Sequence, residues 1–548
     1  MLKISHLIRL FFSGILLLSF SGVFGQEQED KLLQLMKQEL KYSMEELKKQ
    51  ESVPYYMNMR AMDDYSMTII SSFGAITTSN ENRMRTLVPQ IRLGGQELDN
   101  FKYSTQGGVA GPNAQGARGV VLPLDDDASE GVREAIWRET LQRYEYARGM
   151  YDQVKTRTTV SVEDEDKAPC FSAAPVEHYY EAPVVVGSPN TAMQQAWEQR
   201  MNEVSAVFKS CPELRDGTAS YSFQVLRTYF VNSEGSVVVQ NKVAVRVMLS
   251  ASLKAADGME LTLNKDYFAY TPDDLPGTDR MTADVRDMIN RLLALRDAPV
   301  ADPYTGPAIL SGPASGVFFH EIFGHRLEGH RLKSGGQTFK KMVGEQVLPV
   351  EFQVYCDPLQ KRYADTDLYG HYVYDDEGVK GRRVDNVVDG VLKEFLMSRV
   401  PLDGFPASNG HGRTSGGGDP VSRQSNLIIE TDRPYTEDEL RAMLVEEAKK
   451  QGKEYGYYFR TVTSGFTYTG EGGSLNSFNV TPLEVYRVFV DGRPDQLVRG
   501  VDMIGTPLSM FSNIAAAGEA ECVHGILWGG IGLGARDGNI TDHFCESD

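Results

Sequence analysis

The sequence predicts an α+β protein, with a mixed α/β N-terminal domain followed by a β-rich domain. The chain has 548 residues, of which 41% are hydrophobic and 24% charged, which is enough for more than one globular core. Apolar residues recur at helical spacing in the first half, whereas short β-like runs and many glycines fill the second half. A stretch rich in Pro, Asp and Gly at 297–316 separates the two patterns. We therefore predict domains over residues 26–300 and 301–548.

The first domain combines helices with extended strands. Helical periodicity covers residues 29–50, 130–151, 191–209 and 281–296. Residues 55–125 alternate like strands, whereas 155–190 is rich in Asp, Glu, Pro and Ala and is predicted to be a loop. The runs 221–231 and 236–250 are β-branched and aromatic, and the turn signal at 232–235 between them predicts a β-hairpin.

The first 25 residues have the pattern of a secretory signal peptide. Lys3 and Arg9 lead into an apolar stretch at 10–20, and small residues stand at the positions required for cleavage before Gln26. The alternative, a membrane anchor, is disfavoured because about 20 apolar residues are needed to span a bilayer. We therefore predict an exported chain, periplasmic or extracellular, with no stable membrane span after cleavage.

Charge and cysteine content narrow the possible functions. The formal net charge of −19 argues against a nucleic-acid partner, because a general nucleic-acid-binding protein needs a basic face. The five cysteines do not follow the spacing of a zinc knuckle. Export permits disulfides, and a Cys170–Cys211 bridge is one alternative that the sequence leaves open.

The strongest chemical signal is the apolar segment 318–330, which contains His320, Glu321 and His325. Two imidazoles can bind Zn²⁺, and an adjacent carboxylate can deprotonate a metal-activated water. In the common His-Glu-x-x-His pattern the histidines lie four residues apart on one helix face. Here they are five apart, which places them roughly 140° apart on an ideal helix. Both can reach one metal only if a π-bulge or kink distorts the helix between them. Gly324 lies between the two histidines, where a glycine would ease such a distortion.

These residues also have structural interpretations. The two histidines and the glutamate can be core residues with satisfied hydrogen bonds, and Glu328 and His330 can be polar residues at a helix end. Three other segments are typical of the surface: Asp375 to Glu377 as an acidic turn, Gly416 to Gly418 as a flexible loop and His411 as a loop residue.

The order and spacing of several motifs resemble the TldD/PmbA metallopeptidase family. His-Glu-x-x-x-His is followed by Leu-Glu-Gly, as in that family. Further segments carry the resemblance through the second domain: 375–378, 389–392, 409–413, 426–429, 464–465, 498–500, 505–508 and 513–514.

The resemblance implies a zinc-dependent peptidase that cleaves small or unfolded peptides by means of a metal-activated water. His320 and His325 would be metal ligands, and Glu321 the catalytic base. Family members form dimers around an internal chamber, which implies a homodimer or a heterodimer with a paralogue. Because members without the histidine motif are non-catalytic, the alternatives are a partner subunit or a protein that binds extended peptides by strand addition.

The C-terminal tail departs from the family pattern. The family supplies a third ligand, a cysteine within a segment of the form Val-Cys-Gly-x-x-x-Gly-x-Val-Pro-Val, but Leu527 stands at that position here. We hypothesise a reading-frame shift after about residue 518. In the shifted frame, permitted codons from Glu521 onward spell Ser-Val-Phe-Met-Val-Ser-Cys-Gly-Ala-Glu-Ser-Gly-Trp-Val-Pro-Val. As written, Cys522 or His524 would be the substitute ligands.

Overall fold

The computed structural model describes residues 27, 29–102, 119–125, 127–157, 166–184, 191–333, 337–414, 418–467, 478–505 and 507–518. The predicted signal peptide, residues 415–417 of the glycine-rich loop, and the tail that contains Leu527, Cys522 and His524 lie outside these residues.

Helices α1 to α9 are Lys31–Leu47, Ser129–Arg157, Thr191–Ala206, Thr278–Asp297, Gly312–Phe318, Gly329–Lys333, Gln337–Lys340, Glu437–Lys450 and Pro507–Ser512. Strands β1 to β11 are Pro54–Ser72, Ala75–Leu93, Val120–Val121, His178–Tyr180, Asp216–Asn232, Val237–Lys254, Glu260–Ala269, Ala308–Leu310, Phe352–Cys356, Arg362–Tyr363 and Thr366–Asp367. Strands β12 to β22 are Val384–Val388, Val391–Leu392, Gly412–Arg413, Val421–Ser422, Leu427–Thr431, Pro434–Tyr435, Tyr455–Thr467, Phe478–Phe489, Gln496–Val498, Met503–Gly505 and Ala517–Gly518.

A seven-stranded sheet organises the N-terminal half. Its order is β3-β2-β1-β5-β6-β4, and β7 also pairs with β6. The predicted hairpin is confirmed, since β5 and β6 pair antiparallel across the turn before Val237. Gly235 has a positive φ of 107° in this turn, a conformation that glycine adopts without strain.

The two faces of this sheet have different neighbours, as the two-residue period of a strand requires. Met57, Met59 and Ala61 of β1 pack into one core with α1 and α2, and Met67 and Ile69 on the same face pack into a second core with α3 and α4. The intervening polar residues of β1 and β2 lie on the opposite face. That face contacts the C-terminal half, because Arg60 donates to Gly418 O and Gln90 donates to Asp419.

All four predicted helices of the first half are present, and their apolar stripes are buried. Met201, Val204 and Phe208, which lie at helical spacing within the predicted range 191–209, are fully enclosed in the core. The predicted loop at 155–190 is wrong at two places. Helix α2 continues to Arg157, and His178–Tyr180 forms strand β4, which pairs parallel with β6.

The C-terminal half is built from small sheets, which confirms the predicted α+β class. One has four strands in the order β13-β12-β9-β16, and another has the order β20-β19-β18-β8 with β21 also paired to β19. Between them lies a core of aromatic and aliphatic side chains that includes Phe318, Phe323 and Phe511. The domain boundary near residue 300 stays a prediction.

The described cysteines are free thiols, so the Cys170–Cys211 bridge is not formed. Cys211 packs in the core beside α3, whereas the Cys170 thiol donates to Glu97 O at 3.5 Å. None of the helices in the described part of the chain is both long and apolar enough to cross a bilayer.

Candidate metal centre

The candidate centre is formed where helix α5 changes its winding. Ser311 caps α5 by accepting a hydrogen bond from Ala314 N, and the helix then passes into a π turn, Phe319–Phe323, and a 3₁₀ turn, Gly324–Leu327. Phe319, Ile322 and Phe323 are buried in the core and hold the π turn in place. The distortion predicted from the five-residue histidine spacing is therefore present.

This winding brings two imidazoles and a carboxylate together. Potential ligand atoms of His320, Glu321 and His325 all lie within 4.8 Å of one another. The Nε2 atoms of both histidines are 3.7 Å from oxygens of Glu321, and the two ring centroids are 4.6 Å apart. His320 is fully buried, and the other two side chains are largely buried.

The other ring nitrogen of each histidine has its own partner. His320 Nδ1 lies 3.0 Å from Gln424 Oε1, and His325 Nδ1 lies 3.1 Å from Glu328 Oε1. Both oxygens are acceptors, and around His325 the carboxylate is closer than the donors Gln424 Nε2 at 3.4 Å and Arg331 Nη2 at 3.5 Å, so these contacts favour a proton on each Nδ1. Each Nε2 then offers a lone pair to the centre, an arrangement typical of histidines that bind zinc.

A buried ring nitrogen shows that this arrangement fits a metal. His320 Nε2 is buried and has no hydrogen-bond partner among the described residues. An unsatisfied nitrogen of this kind costs free energy unless a ligand completes it. Two imidazole nitrogens suit Zn²⁺, and the adjacent carboxylate is of the kind that accepts a proton from a metal-activated water.

Glu328 anchors His325 through a charged network. Its Oε2 accepts hydrogen bonds from Arg331 Nε at 2.6 Å and from Arg423 Nη1 at 3.4 Å. Burial alone would raise the pKa of Glu328, but His325, Arg331 and Arg423 hold it well below its usual range. Glu328 does lie at a helix end, directly after the 3₁₀ turn, as one interpretation predicted. Its buried carboxylate in addition fixes the His325 ring.

Burial sets the protonation states of the centre. It lowers the pKa of His320 to about 3, with a further contribution from the neighbouring His325, and it lowers the pKa of His325 as well. Both rings are neutral near pH 7, as metal ligands must be. Burial also raises the pKa of Glu321 to about 8, which brings this carboxyl group near the range suited to proton transfer.

Gly324 has a role other than the predicted one. Its φ of −58° is ordinary for a helix, so it does not supply conformational freedom to the π turn. Instead, a Cβ at this position would lie 2.0 Å from Gln424 Oε1. Gly324 therefore leaves space for the side chain that holds His320.

Three residues of this network, Gln424, Arg331 and Arg423, were not identified from the sequence. Gln424 is 104 residues from His320 in the chain, and no motif connects them. The three have polar side chains of kinds that are common on protein surfaces, so one sequence contains no signal that would have found them.

Two predicted surface features are instead buried in the interior. Asp375, Asp376 and Glu377 are 2%, 6% and 2% exposed, and His411 is fully buried. Asp375 accepts hydrogen bonds from backbone N–H groups, including that of Gly412, and His411 Nε2 lies 3.0 Å from Ser425 Oγ. The surface interpretations were wrong because local backbone and side-chain partners satisfy these polar groups in the interior.

Comparisons with known proteins relate this chain to metallopeptidases. Residues 303–532 match the family described as the PmbA/TldA metallopeptidase C-terminal domain. A metalloprotease of Archaeoglobus fulgidus is 27% identical over 247 residues, which are 45% of this chain and 52% of that protein. A metalloprotease of Methanothermobacter thermautotrophicus is 26% identical over 311 residues, 55% of this chain and 62% of that protein. The matched stretch thus spans roughly half to three fifths of these curated relatives.

Solved structures share the fold over most of the chain. A protein described as a modulator of DNA gyrase from Thermotoga maritima has a TM-score of 0.57 at 15% identity, covering 88% of this chain and 95% of its own. TldE from Thermococcus kodakarensis has a TM-score of 0.55 at 14% identity, covering 88% and 94%. The family match and the metalloprotease relatives show that the C-terminal half of the chain is similar to the TldD/PmbA metallopeptidase family, and the solved structures show the shared fold.

Proposed function

We propose that the chain is a zinc-dependent peptidase that cleaves small or unfolded peptides. The observation that carries this proposal is the convergence of His320 Nε2, His325 Nε2 and the Glu321 carboxylate in one buried cluster. His320 and His325 would hold the metal, and their fixed Nδ1–H groups favour the required tautomers. Bound zinc would supply Lewis-acid polarisation of water and of the peptide carbonyl.

Glu321 is proposed as the catalytic base. Its carboxylate lies 3.7 Å from both Nε2 atoms, which supports proton transfer from a water in this centre. The raised pKa of about 8 in the absence of a bound cation supports its return of the proton to the leaving amine. Burial of the cluster excludes bulk water, which strengthens every charge interaction within it.

The test is a Glu321→Gln variant assayed with unstructured peptides. Because the amide cannot accept the proton, we expect peptide cleavage to fall by at least about 10²-fold while zinc content remains unchanged. Glu345→Gln, a change at an exposed glutamate, is the matched control and should retain cleavage. Retained cleavage by Glu321→Gln would exclude this mechanism.

The tail supports a second candidate function, a non-catalytic partner subunit or peptide-binding protein. A third protein ligand completes most catalytic zinc sites, and Leu527 cannot be one. Resequencing codons 505–548 separates the candidates. An added or missing base restores the cysteine and favours the peptidase, whereas a clean read as written favours the inactive member.

We further propose export and pairing. N-terminal sequencing of the mature protein should begin at Gln26 if the signal peptide is removed. Light scattering should give twice the chain mass for a homodimer. A monomer that doubles its mass only when a family paralogue is added would indicate a heterodimer.

A further inference from the structure

Two short strands bring His411 next to the segment that supports the candidate metal centre. In the antiparallel pair of β14 and β15, Gly412 lies opposite Ser422, so the preceding His411 lies opposite Arg423. Arg423 N donates a hydrogen bond to His411 O at 2.9 Å, which extends this pairing by one residue. His411 is thereby held beside Arg423, the residue that directly precedes Gln424.

The ring of His411 reaches the same segment on the other side of Gln424. Its Nε2 lies 3.0 Å from Ser425 Oγ, and both residues are fully buried, so water does not compete for this contact. The Ser425 hydroxyl is also a neighbour of the Cys356 thiol on β9. Gln424 therefore lies between two residues that His411 holds, one through its backbone and one through its ring.

Asn409 fixes the direction of the proton in the contact between His411 and Ser425. His411 Nδ1 lies 3.1 Å from Asn409 Oδ1 and 3.2 Å from Asn409 O. Two further hydrogen bonds orient this amide, because Oδ1 accepts from Met397 N and Nδ2 donates to Phe395 O, both at 2.8 Å. Both oxygens near Nδ1 are therefore acceptors, so Nδ1 carries the proton and Nε2 accepts from the Ser425 hydroxyl. Burial lowers the pKa of His411 to about 3, which keeps the ring neutral near pH 7.

The segment held by His411 supplies partners to both candidate ligands. Gln424 Oε1 lies 3.0 Å from His320 Nδ1. Arg423 Nη1 donates to Glu328 at 3.4 Å, and Glu328 in turn holds His325. A displacement of this segment would therefore move the partners of both imidazoles, and such partners set the orientation and metal affinity of a histidine.

We propose that His411 is a positioning residue of the metal centre. It acts as a clamp on residues 423–425, because its carbonyl oxygen holds the backbone of Arg423 and its ring holds the Ser425 hydroxyl. The clamp fixes the direction of the Gln424 side chain and hence the orientation of the His320 ring. His411 acts through these residues and is not itself a ligand. This inference rests on the proposed zinc-dependent function and deepens it.

The first variant, Ser425→Ala, removes the hydroxyl held by His411 and changes the buried volume little. We expect its zinc affinity to fall about ten-fold in competition with a chromophoric chelator, the lower end of the range for residues that hold a metal-binding histidine. Ser205→Ala is the matched control, because Ser205 is also fully buried and its Oγ lies 2.8 Å from Ser71 Oγ in the N-terminal half. It should lower the free energy of unfolding and retain zinc affinity.

Variants at His411 separate the effect of its ring from that of the other neighbours of Ser425. His411→Leu removes the acceptor and should reproduce the loss of affinity seen for Ser425→Ala. His411→Gln provides an amide oxygen that can accept from the hydroxyl, and it should recover part of the affinity. In a Gln424→Ala background, Ser425→Ala should lose most of its effect, because the side chain that transmits the clamp is already absent.

A measurement on the zinc-free protein tests the clamp independently of the metal. Hydrogen–deuterium exchange, followed by mass spectrometry of peptides that contain residues 421–427, reports how firmly this segment is held. We expect exchange in these peptides to be about 5–10-fold faster in Ser425→Ala, as the loss of one hydrogen bond predicts. Exchange in the same peptides should be unchanged in Ser205→Ala.

Two results would overturn the inference. One is that Ser425→Ala retains the zinc affinity and the exchange rates of the parent protein, and the other is an equally large loss of affinity in the Gln424→Ala background. Failure of the parent protein to bind zinc would instead overturn the proposed function, and the exchange rates would still decide whether the clamp exists. Full zinc affinity without peptide cleavage would likewise overturn the peptidase proposal and keep the clamp.

Discussion

Substitution of Gly324 by alanine tests how the metal centre is positioned. The added Cβ would lie 2.0 Å from Gln424 Oε1 and must gain about 1.4 Å to reach the 3.4 Å of an ordinary contact. The end of a glutamine side chain can move, so the fold should survive with a cost of about 1–3 kcal/mol in the free energy of unfolding. The movement, however, breaks the 3.0 Å hydrogen bond from His320 Nδ1.

The expected effect on the metal is larger than the effect on folding. Loss of the partner leaves a buried Nδ1–H unsatisfied, which costs about 1–3 kcal/mol. Partners of this type change metal affinity by about 10–100-fold when removed. We therefore expect zinc affinity of Gly324→Ala to fall about ten-fold or more, as measured by competition with a chromophoric chelator.

A double-mutant cycle determines whether Gln424 transmits the effect. If it does, Gly324→Ala should have little further effect on zinc affinity in a Gln424→Ala background. Gly456→Ala is the matched control, because its Cβ would lie 2.5 Å from Leu444 Cδ1, where β18 packs on α8 and no histidine partner is involved. It should lower stability and retain zinc affinity. Additive losses in the cycle would refute the reasoning.

Three further predictions follow from buried charges and thiols. Glu328→Gln removes the carboxylate that holds His325, and zinc affinity should fall about 10–100-fold in the same chelator assay; unchanged affinity would contradict the anchoring role. Burial raises the pKa of Cys356 to about 12, whereas an unfolded thiol has a pKa of about 8.5. The neutral thiol therefore contributes its full stabilisation of the fold below about pH 8.5, and this contribution is lost as the pH rises toward 12. In urea titrations, the free energy of unfolding of Cys356→Ala should accordingly fall less steeply between these pH values than that of the unmodified protein. Parallel plots of unfolding free energy against pH would contradict the raised pKa of Cys356. Arg399→Met removes a fully buried guanidinium that bonds Glu234, and should cost about 3 kcal/mol in urea unfolding; a loss below about 1 kcal/mol would show that this link between the halves is weak.

The sequence was most informative where a periodic pattern or a fixed spacing carried the signal. The apolar stripes of the N-terminal helices and the turn before Val237 follow from local periodicity, so they were predicted within a few residues. The π turn was predictable because His320 and His325 must face one point despite an unsuitable spacing. These features depend on residues that are near one another in the chain.

The sequence was least informative where polar residues are satisfied by distant parts of the chain. Asp375 and His411 belong to residue types that usually lie at the surface, and only the folded backbone reveals their interior partners. Gln424 likewise acquires its role from a contact formed across 104 residues. Such contacts have no periodicity, so a single sequence does not record them.

The π turn has a consequence for recognising sites of this kind from sequence. One extra residue between the histidines is absorbed by a wider turn, so the positions of His320 and His325 in space correspond to a shorter spacing than their numbers suggest. A search that fixes the interval at four residues would pass over this site. Such a site is defined by the distances between its ligand atoms. Insertion of one residue changes the spacing of the histidines in the sequence, but the wider turn preserves these distances.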